Sequence, residues 1–348
     1  MKKLLMILST LSIFFILVAC NSKDSSEQES DKKSDSKEEK SHHLKVSMVI
    51  PGNIKDKGFM ESGYNGLMKI KDDLGAEVSY KDEIKPEMNP MVKALKELAK
   101  EQPDMIIMHG GQGAEATEKV AKEYPDIEFV VTQGNVKGSN LSSYEVLQEE
   151  STYLAGAAAG LLTKSGTVGH MSGIKVVPGL KGRAAFADGL QKTNGDVELL
   201  TSFIGDQDDN TLSKKYADAQ IKEGADIIFT MLNDGREGVT EALKANDLKH
   251  IGNVKDYVKE NPDVFIASAV ADSGMAGFIA AEKFKNDEYK PNVIEQIGLE
   301  NKEAVRLTLS SDVPKKVKDE IHDLENQVKN DEIKINVDYD GPEFNVEK

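Results

Sequence analysis

From Leu44 onward, short apolar runs alternate with amphipathic stretches. The runs "LKVSMVI", "AEVSY", "DMIIMH", "IEFVVT", "SSYEVL", "GTVGHM", "DVELLTSF", "DIIFTM", "KHIGNV", "VFIASAV" and "VIEQIG" read as strands, being rich in β-branched residues and bounded by turn formers. Between most of them lie helical patterns such as "MVKALKELAKE" and "GAEATEKVAKEY", with apolar positions three and four apart. Alternation at this spacing predicts an α/β fold with parallel sheets built from right-handed βαβ units. "KEQPDMIIMHGGQGAEATEKVAKE" from Lys100 aligns without a gap on "KEGADIIFTMLNDGREGVTEALKA" from Lys222, an offset of 122 residues. Two lobes of one topology explain this echo, and chance similarity between two βαβ units is the alternative.

Ligands of open parallel sheets gather beyond the carboxyl ends of the strands, so two facing lobes border one cleft with their strand-to-helix turns. Those turns are Pro51 to Phe59, His109 to Gly113, Thr132 to Asn135, Asp206 to Asn210, Leu232 to Gly235, Asn253 to Asp256 and Ala271 to Gly274. In the first, Asp56 and Phe59 occupy one elbow where strand becomes helix. A flat ring needs a π-face to stack on, and its polar edge needs a carboxylate or amide within reach. The elbow supplies both, and the competing reading has Asp56 capping the helix and Phe59 packing beneath it.

Before Leu44 the pattern changes. Lys2 and Lys3 precede an apolar core, Leu4 to Val18, which is short for a membrane span and suits a cleaved signal segment over residues 1–19. Leu17-Val18-Ala19-Cys20 resembles the bacterial lipobox, whose Cys is lipidated after cleavage; an uncleaved anchor helix is the alternative. Cys20 is the only cysteine in the chain, so an intramolecular disulfide is impossible. Residues 20–43 carry no aliphatic side chain and read as a charged, disordered linker, a tether with a reach of roughly 26 Å. The expected location is the extracytoplasmic face of the cell membrane, held by a lipid anchor.

The 348 residues suffice for two domains with sizeable cores. A formal net charge of -16 argues against nucleic acid as a partner, since binding a phosphate backbone needs a basic face.

Catalytic signatures are scarce. No Gly-x-Ser-x-Gly elbow, His-Glu-x-x-His pair or Walker loop occurs, so neither an enzymatic activity nor a cofactor is expected. Gly111-x-Gly113-x-x-Ala116 matches a dinucleotide fingerprint, but Thr132 and Gln133 stand where a ribose-binding acid belongs. A Gly-rich turn near a ligand, Gly110 included, is the better reading. Asp206-x-Asp208-x-Asn210 opens like a calcium loop, yet Thr211 and Ala217 replace the required Gly and Glu. A helix-capping turn and a ligand contact both remain open there. His109 and His170 lie near strand ends as acid-base candidates or hydrogen-bonding wall residues.

The pieces "DKGFMESGYNGL", "KEYPDIEFVV", "VLQEESTYLAGAAAGLLTKSGTVG" and "EGADIIFTMLNDGREGV" resemble the basic membrane lipoprotein family, the PnrA-like group, over nearly all of residues 44–345. That resemblance implies a type I periplasmic-binding-protein fold, two Rossmann-like lobes joined by a hinge, and the carriage of purine nucleosides to an ABC permease. It places lobe 1 at about 44–163 plus 263–308 and lobe 2 at about 164–262 plus 309–345, within a solute-binding domain over 44–348. Members typically carry Asp-x-Ser-Phe-Asn in the first elbow; here Asp56 and Phe59 persist, while Gly58 and Met60 replace Ser and Asn. Gln133 stands for a usual Asp, Asn233 and Asp234 for a Gly-Gly turn, and Ala271 lies near an expected ribose-binding Lys. "GYNGL", "HGGQGAE" and "EYPDIEFVVT" are close to a Med-type branch, lipoproteins described as positive regulators of competence. The expected ligand contacts are Phe59 by stacking, with Asp56, His109, Gly110 and Gln133 from one lobe and Asp206, Asn233, Asp234 and Asp256 from the other. The expected ligand is small and polar, nucleoside-like if the family's ligand is retained.

Overall fold

The computed structural model describes residues 43–346. The expected signal segment, Cys20 and the expected linker up to residue 42 lie outside the described residues.

The first lobe opens with β1 (Lys45–Val49), α1 (Phe59–Leu74), β2 (Glu77–Lys81), α2 (Met88–Ala99), β3 (Met105–His109), α3 (Ala114–Ala121), β4 (Glu128–Thr132) and β5 (Leu141–Val146). The chain then enters the second lobe through α4 (Gln148–Leu162), β6 (Thr167–Ser172), α5 (Val177–Thr193), β7 (Glu198–Phe203), α6 (Asn210–Lys222), β8 (Ile227–Met231), α7 (Arg236–Ala245), β9 (Lys249–Val254), α8 (Tyr257–Glu260) and β10 (Phe265–Ala271). α9 (Gly274–Lys285) and β11 (Ile294–Ile297) return to the first lobe, and β12 (Val305–Leu309) and α10 (Lys315–Lys329) follow.

Each lobe holds one six-stranded sheet, ordered β11-β5-β4-β3-β1-β2 in the first and β12-β10-β9-β8-β6-β7 in the second. The orders correspond strand for strand. β3 and β8 open at Met105 and Ile227, the same 122-residue offset seen in the sequence. The two sheets differ at one edge, where β11 runs parallel to β5 but β12 runs antiparallel to β10.

Central strands are buried along their length, as in β3 and β8, because helices cover both faces of a parallel sheet. α4 is apolar all round, with ten consecutive residues from Ser151 to Gly160 buried. Such a helix belongs in an interior, and it packs on α5, β10, β12 and α10. Close approach to α5 requires glycine: a Cβ on Gly156 would stand 2.8 Å from the Phe186 carbonyl carbon.

Three segments cross between the lobes, after Val146, after Ala271 and after Ile297. The lobe limits expected from sequence therefore move. α4 and β10 belong to the second lobe, since β10 pairs with β9, and β12 joins that sheet too. Strand pairing between distant segments is not encoded in local periodicity, so the expected limits set the first and third crossings too late in the chain and the second, at 263, too early.

Candidate functional site

The turns leaving the two sheets meet each other. The elbow after β1 touches the turn between β8 and α7, so the lobes are closed on one another at this point.

Asp56 sits just ahead of α1 and spends its carboxylate on that helix. Oδ1 accepts from the backbone N–H of Gly58 at 2.8 Å and of Glu61 at 3.0 Å, and Oδ2 accepts from Met60 at 3.1 Å. A helix start leaves such donors unpaired and carries partial positive charge, which an anion satisfies twice over. Oδ2 also accepts from Asn233 Nδ2 of the opposite lobe at 3.3 Å. The capping reading of Asp56 thus holds, with a cross-lobe bond added.

Phe59, the first residue of α1, is half-buried and stacks on His109, with ring centroids 4.2 Å apart and planes 26° from parallel. His109 is fully buried beneath it. Its Nε2 lies 2.8 Å from the Phe59 carbonyl, which can only accept, so Nε2 carries the proton. Nδ1 then accepts from the Thr132 hydroxyl at 3.0 Å, and that oxygen accepts from Gly110 N–H at 3.0 Å. Burial pushes the imidazole pKa down to about 4, so the ring is neutral at pH 7. His109 is a support behind Phe59, which corrects its placement as a ligand contact. Gly110 adopts φ of 108°, a conformation that favours glycine, to turn its N–H onto Thr132.

Gln133 is not free either. Its amide clamps the Val146 backbone, Nε2 donating to the carbonyl at 3.0 Å and Oε1 accepting from the N–H at 2.5 Å. The side chain prolongs the β4–β5 ladder, with its own backbone left-handed at φ 53°.

In the second lobe, exposed Asp206 accepts from Asp208 N–H at 2.7 Å and Asp209 N–H at 3.0 Å, shaping its own turn. Asp209 caps α6, accepting from Thr211 and Leu212, both at 2.9 Å. The helix cap of this acidic turn is Asp209, and Asp206 holds the turn ahead of it through one carboxylate oxygen. Asn233 and Asp234 do face the first lobe. Their turn is pinned by the Gln207 carbonyl, which accepts from Asn233 N–H and Gly235 N–H at 3.1 Å each. Asp256 lies apart, 3.5 Å from Lys259 and 4.0 Å from Arg306. It does not join the elbow contact.

Three residues at the cleft escaped sequence reasoning. Lys57 Nζ reaches across to Asp234 Oδ1 at 2.7 Å and Glu237 Oε1 at 2.8 Å. These bonds, that to Asp234 first, raise its pKa. Arg236, at the start of α7, is buried and donates to Tyr257 Oη, the Leu232 carbonyl and, at 2.8 Å, Asn253 Oδ1. Tyr257 lies over that guanidinium at 4.2 Å and donates to the Lys57 carbonyl at 3.4 Å. Nothing in the local sequence marks Arg236, whose burial comes from the packing of α7 on its sheet. A signal for Lys57 was present: it lies between a capping Asp and a Gly and is left-handed at φ 54°. Val254, at the end of β9, has φ of 71°, a strained state for a β-branched residue.

His170 is fully buried, bonded to Thr201 Oγ1 at 2.8 Å and ringed by Phe186, Phe203 and Phe229. It is a core residue, with its pKa pushed down to about 3 by burial. Among the described residues no three His, Cys, Asp or Glu side chains are grouped to hold a metal. Nor is any described helix long and apolar enough to cross a membrane.

The chain is 28% identical over 240 residues to the transcriptional activator protein Med of Bacillus subtilis, covering 69% of this chain and 74% of that one. It is 26% identical over 182 residues to a purine-binding protein of Brucella abortus, covering 52% and 51%. A solute-binding protein of an ABC transporter system from Conexibacter woesei superposes with a TM-score of 0.71 at 21% identity, over 85% of this chain and all of that one. That superposition shows the fold, the two-lobed type I periplasmic-binding arrangement. The profile described as "ABC transporter substrate-binding protein PnrA-like" matches residues 43–339. With strand order, lobe pairing and profile in agreement, the chain belongs to the PnrA-like family of ABC transporter substrate-binding proteins.

Proposed function

We propose that this chain is a membrane-tethered, extracytoplasmic solute-binding lipoprotein that captures a small polar, nucleoside-like ligand by closing its two lobes. The closed form is then presented to an ABC permease, and no chemistry is done on the ligand. The observation that carries this reading is Phe59: a half-buried aromatic ring at the cleft, held flat against a buried neutral histidine. Fixing the ring before binding lowers the entropy lost on stacking a ligand. The name of the Brucella abortus relative supports a purine-like ring as the ligand, and the lipobox-like Leu17-Val18-Ala19-Cys20 supports the anchor.

Thermal-shift titration of the full chain with a nucleoside panel tests the proposal. A ligand at a hundredfold its dissociation constant stabilises the folded state by about 2.7 kcal/mol. Phe59→Ala should abolish the shift; an undiminished shift removes the stacking role.

A second reading is favoured by the occupied polar groups. Asp56 bonds Asn233, Lys57 bonds Asp234, and Gln133 clamps Val146. A cleft whose polar groups satisfy each other suits a Med-type regulatory lipoprotein that acts through protein contacts, and the Bacillus subtilis relative bears that name. Absence of any nucleoside shift, with capture of a defined membrane-protein partner that Phe59→Ala does not affect, would favour it.

A further inference from the structure

We infer that the cleft latches shut on its own side chains: Lys57 and Gly58 of the first lobe engage Asn233 and Asp234 of the second and hold the lobes together without a ligand. This rests on the hinge-closure reading and adds what sets the open-closed balance.

The first component is steric. A Cβ built on Gly58 would run into Asn233 Oδ1 and stand 2.6 Å from Asn233 Cγ. The missing side chain at 58 is therefore the space that the Asn233 amide fills, and filling it places Nδ2 on Asp56. The second component is electrostatic. Lys57 inserts its ammonium between Asp234 and Glu237, and the Asp208 carboxylate accepts from Asp234 N–H at 3.4 Å. Its own backbone is left-handed to do so, and its carbonyl accepts from Tyr257 Oη.

Both halves of the latch are rigid before they meet. On one side the Asp56 carboxylate ties the elbow to the first turn of α1. On the other, Gln207 pins the Asn233 turn and buried Arg236 holds Tyr257. Surfaces ordered in advance lose little entropy on contact. The ion pairs themselves are solvent-exposed, with the Lys57 side chain 50% accessible, so they are weak singly and screened by salt. Closure is thus a balanced equilibrium, in which the latch favours the closed side by about tenfold.

The test is a distance measurement between spin labels on the two lobes. The full chain with Cys20→Ser, Lys93→Cys and Asp218→Cys carries labels on α2 and α6. Without ligand and at low salt, a short distance should dominate, and raising the salt should populate a longer one. Lys57→Met should lower the closed-to-open ratio about threefold, the share of the exposed ion pairs in the latch. Gly58→Ala should also open the cleft, and adding Asn233→Gly should close it again by making room for the methyl group. A ligand-free wild type that is open at low salt overturns the latch, as does a Gly58→Ala variant that stays closed. If no variant, salt condition or nucleoside changes the distance, the hinge reading itself fails and the latch with it.

Discussion

Glu150 gives the sharpest stability prediction. It is the third residue of α4, where the chain enters the second lobe, and its Oε2 accepts from Leu299 N–H at 2.7 Å in the segment that crosses between β11 and β12. Burial, with smaller contributions from Glu300 and Glu149, pushes its pKa up to about 7, against 4.5 in an unstructured chain. A carboxyl whose folded pKa is raised favours folding while it keeps its proton. That contribution is complete below pH 4.5 and is lost as pH rises through 7. The full difference corresponds to about 3 kcal/mol, and partial solvent screening reduces it to about 1–2 kcal/mol. Glu150→Gln keeps an acceptor for Leu299 N–H and cannot ionise. Urea unfolding of both proteins at pH 4 and pH 8 should give nearly equal stability at the lower pH. At the higher pH the variant should be ahead by about 1–2 kcal/mol. The same difference between variant and wild type at both pH values would refute the raised Glu150 pKa.

Other outcomes follow from the same kind of reasoning. His109 and His170 are neutral in the fold, with pKa values of about 4 and 3, so their contribution is complete above about pH 6.5 and falls as pH drops towards 4. His109→Gln should show a smaller loss of melting temperature over that range than wild type, and equal losses would contradict this. Glu343 donates no proton but anchors Arg183 at 2.8 Å, a buried guanidinium between the rings of Phe203 and Tyr339. Glu343→Gln should destabilise by about 1–3 kcal/mol in chemical denaturation, while Lys175→Met, at the exposed partner of Glu343, should cost under about 1 kcal/mol. Equal effects would show that Arg183 does not depend on Glu343. Asn140, buried, gathers the carbonyls of Ala121, Tyr124 and Ile127 at 2.8 to 3.1 Å. Its replacement by Ala should cost about 1–3 kcal/mol, and a neutral variant would contradict that role.

The strands were readable because central parallel strands are short apolar runs with sharp polar ends, and eleven runs quoted from the sequence correspond to β1 through β11. β12 was missed. Val305-Arg306-Leu307-Thr308-Leu309 is an antiparallel edge strand with one buried residue, and nothing apolar and continuous marks it. At the cleft, residue positions were legible but partnerships were not. An aspartate three residues before a helix is written identically whether it faces a ligand or its own backbone, and Asp56 faces its backbone. The departures from the family pattern at 58 and 233 looked like independent losses. In three dimensions they are one exchange of volume, with the side chain absent at Gly58 replaced by that of Asn233 across the cleft. The Gln133 amide is likewise engaged by Val146, which offers both a donor and an acceptor at the right spacing.

Native mass spectrometry of the full chain, purified without denaturation, tests the solute-binding proposal most directly. The account predicts a population carrying one non-covalent small molecule that contains a flat ring, released by gentle activation and absent from Phe59→Ala. A chain that is empty in every preparation and gains no mass with any nucleoside added would contradict it.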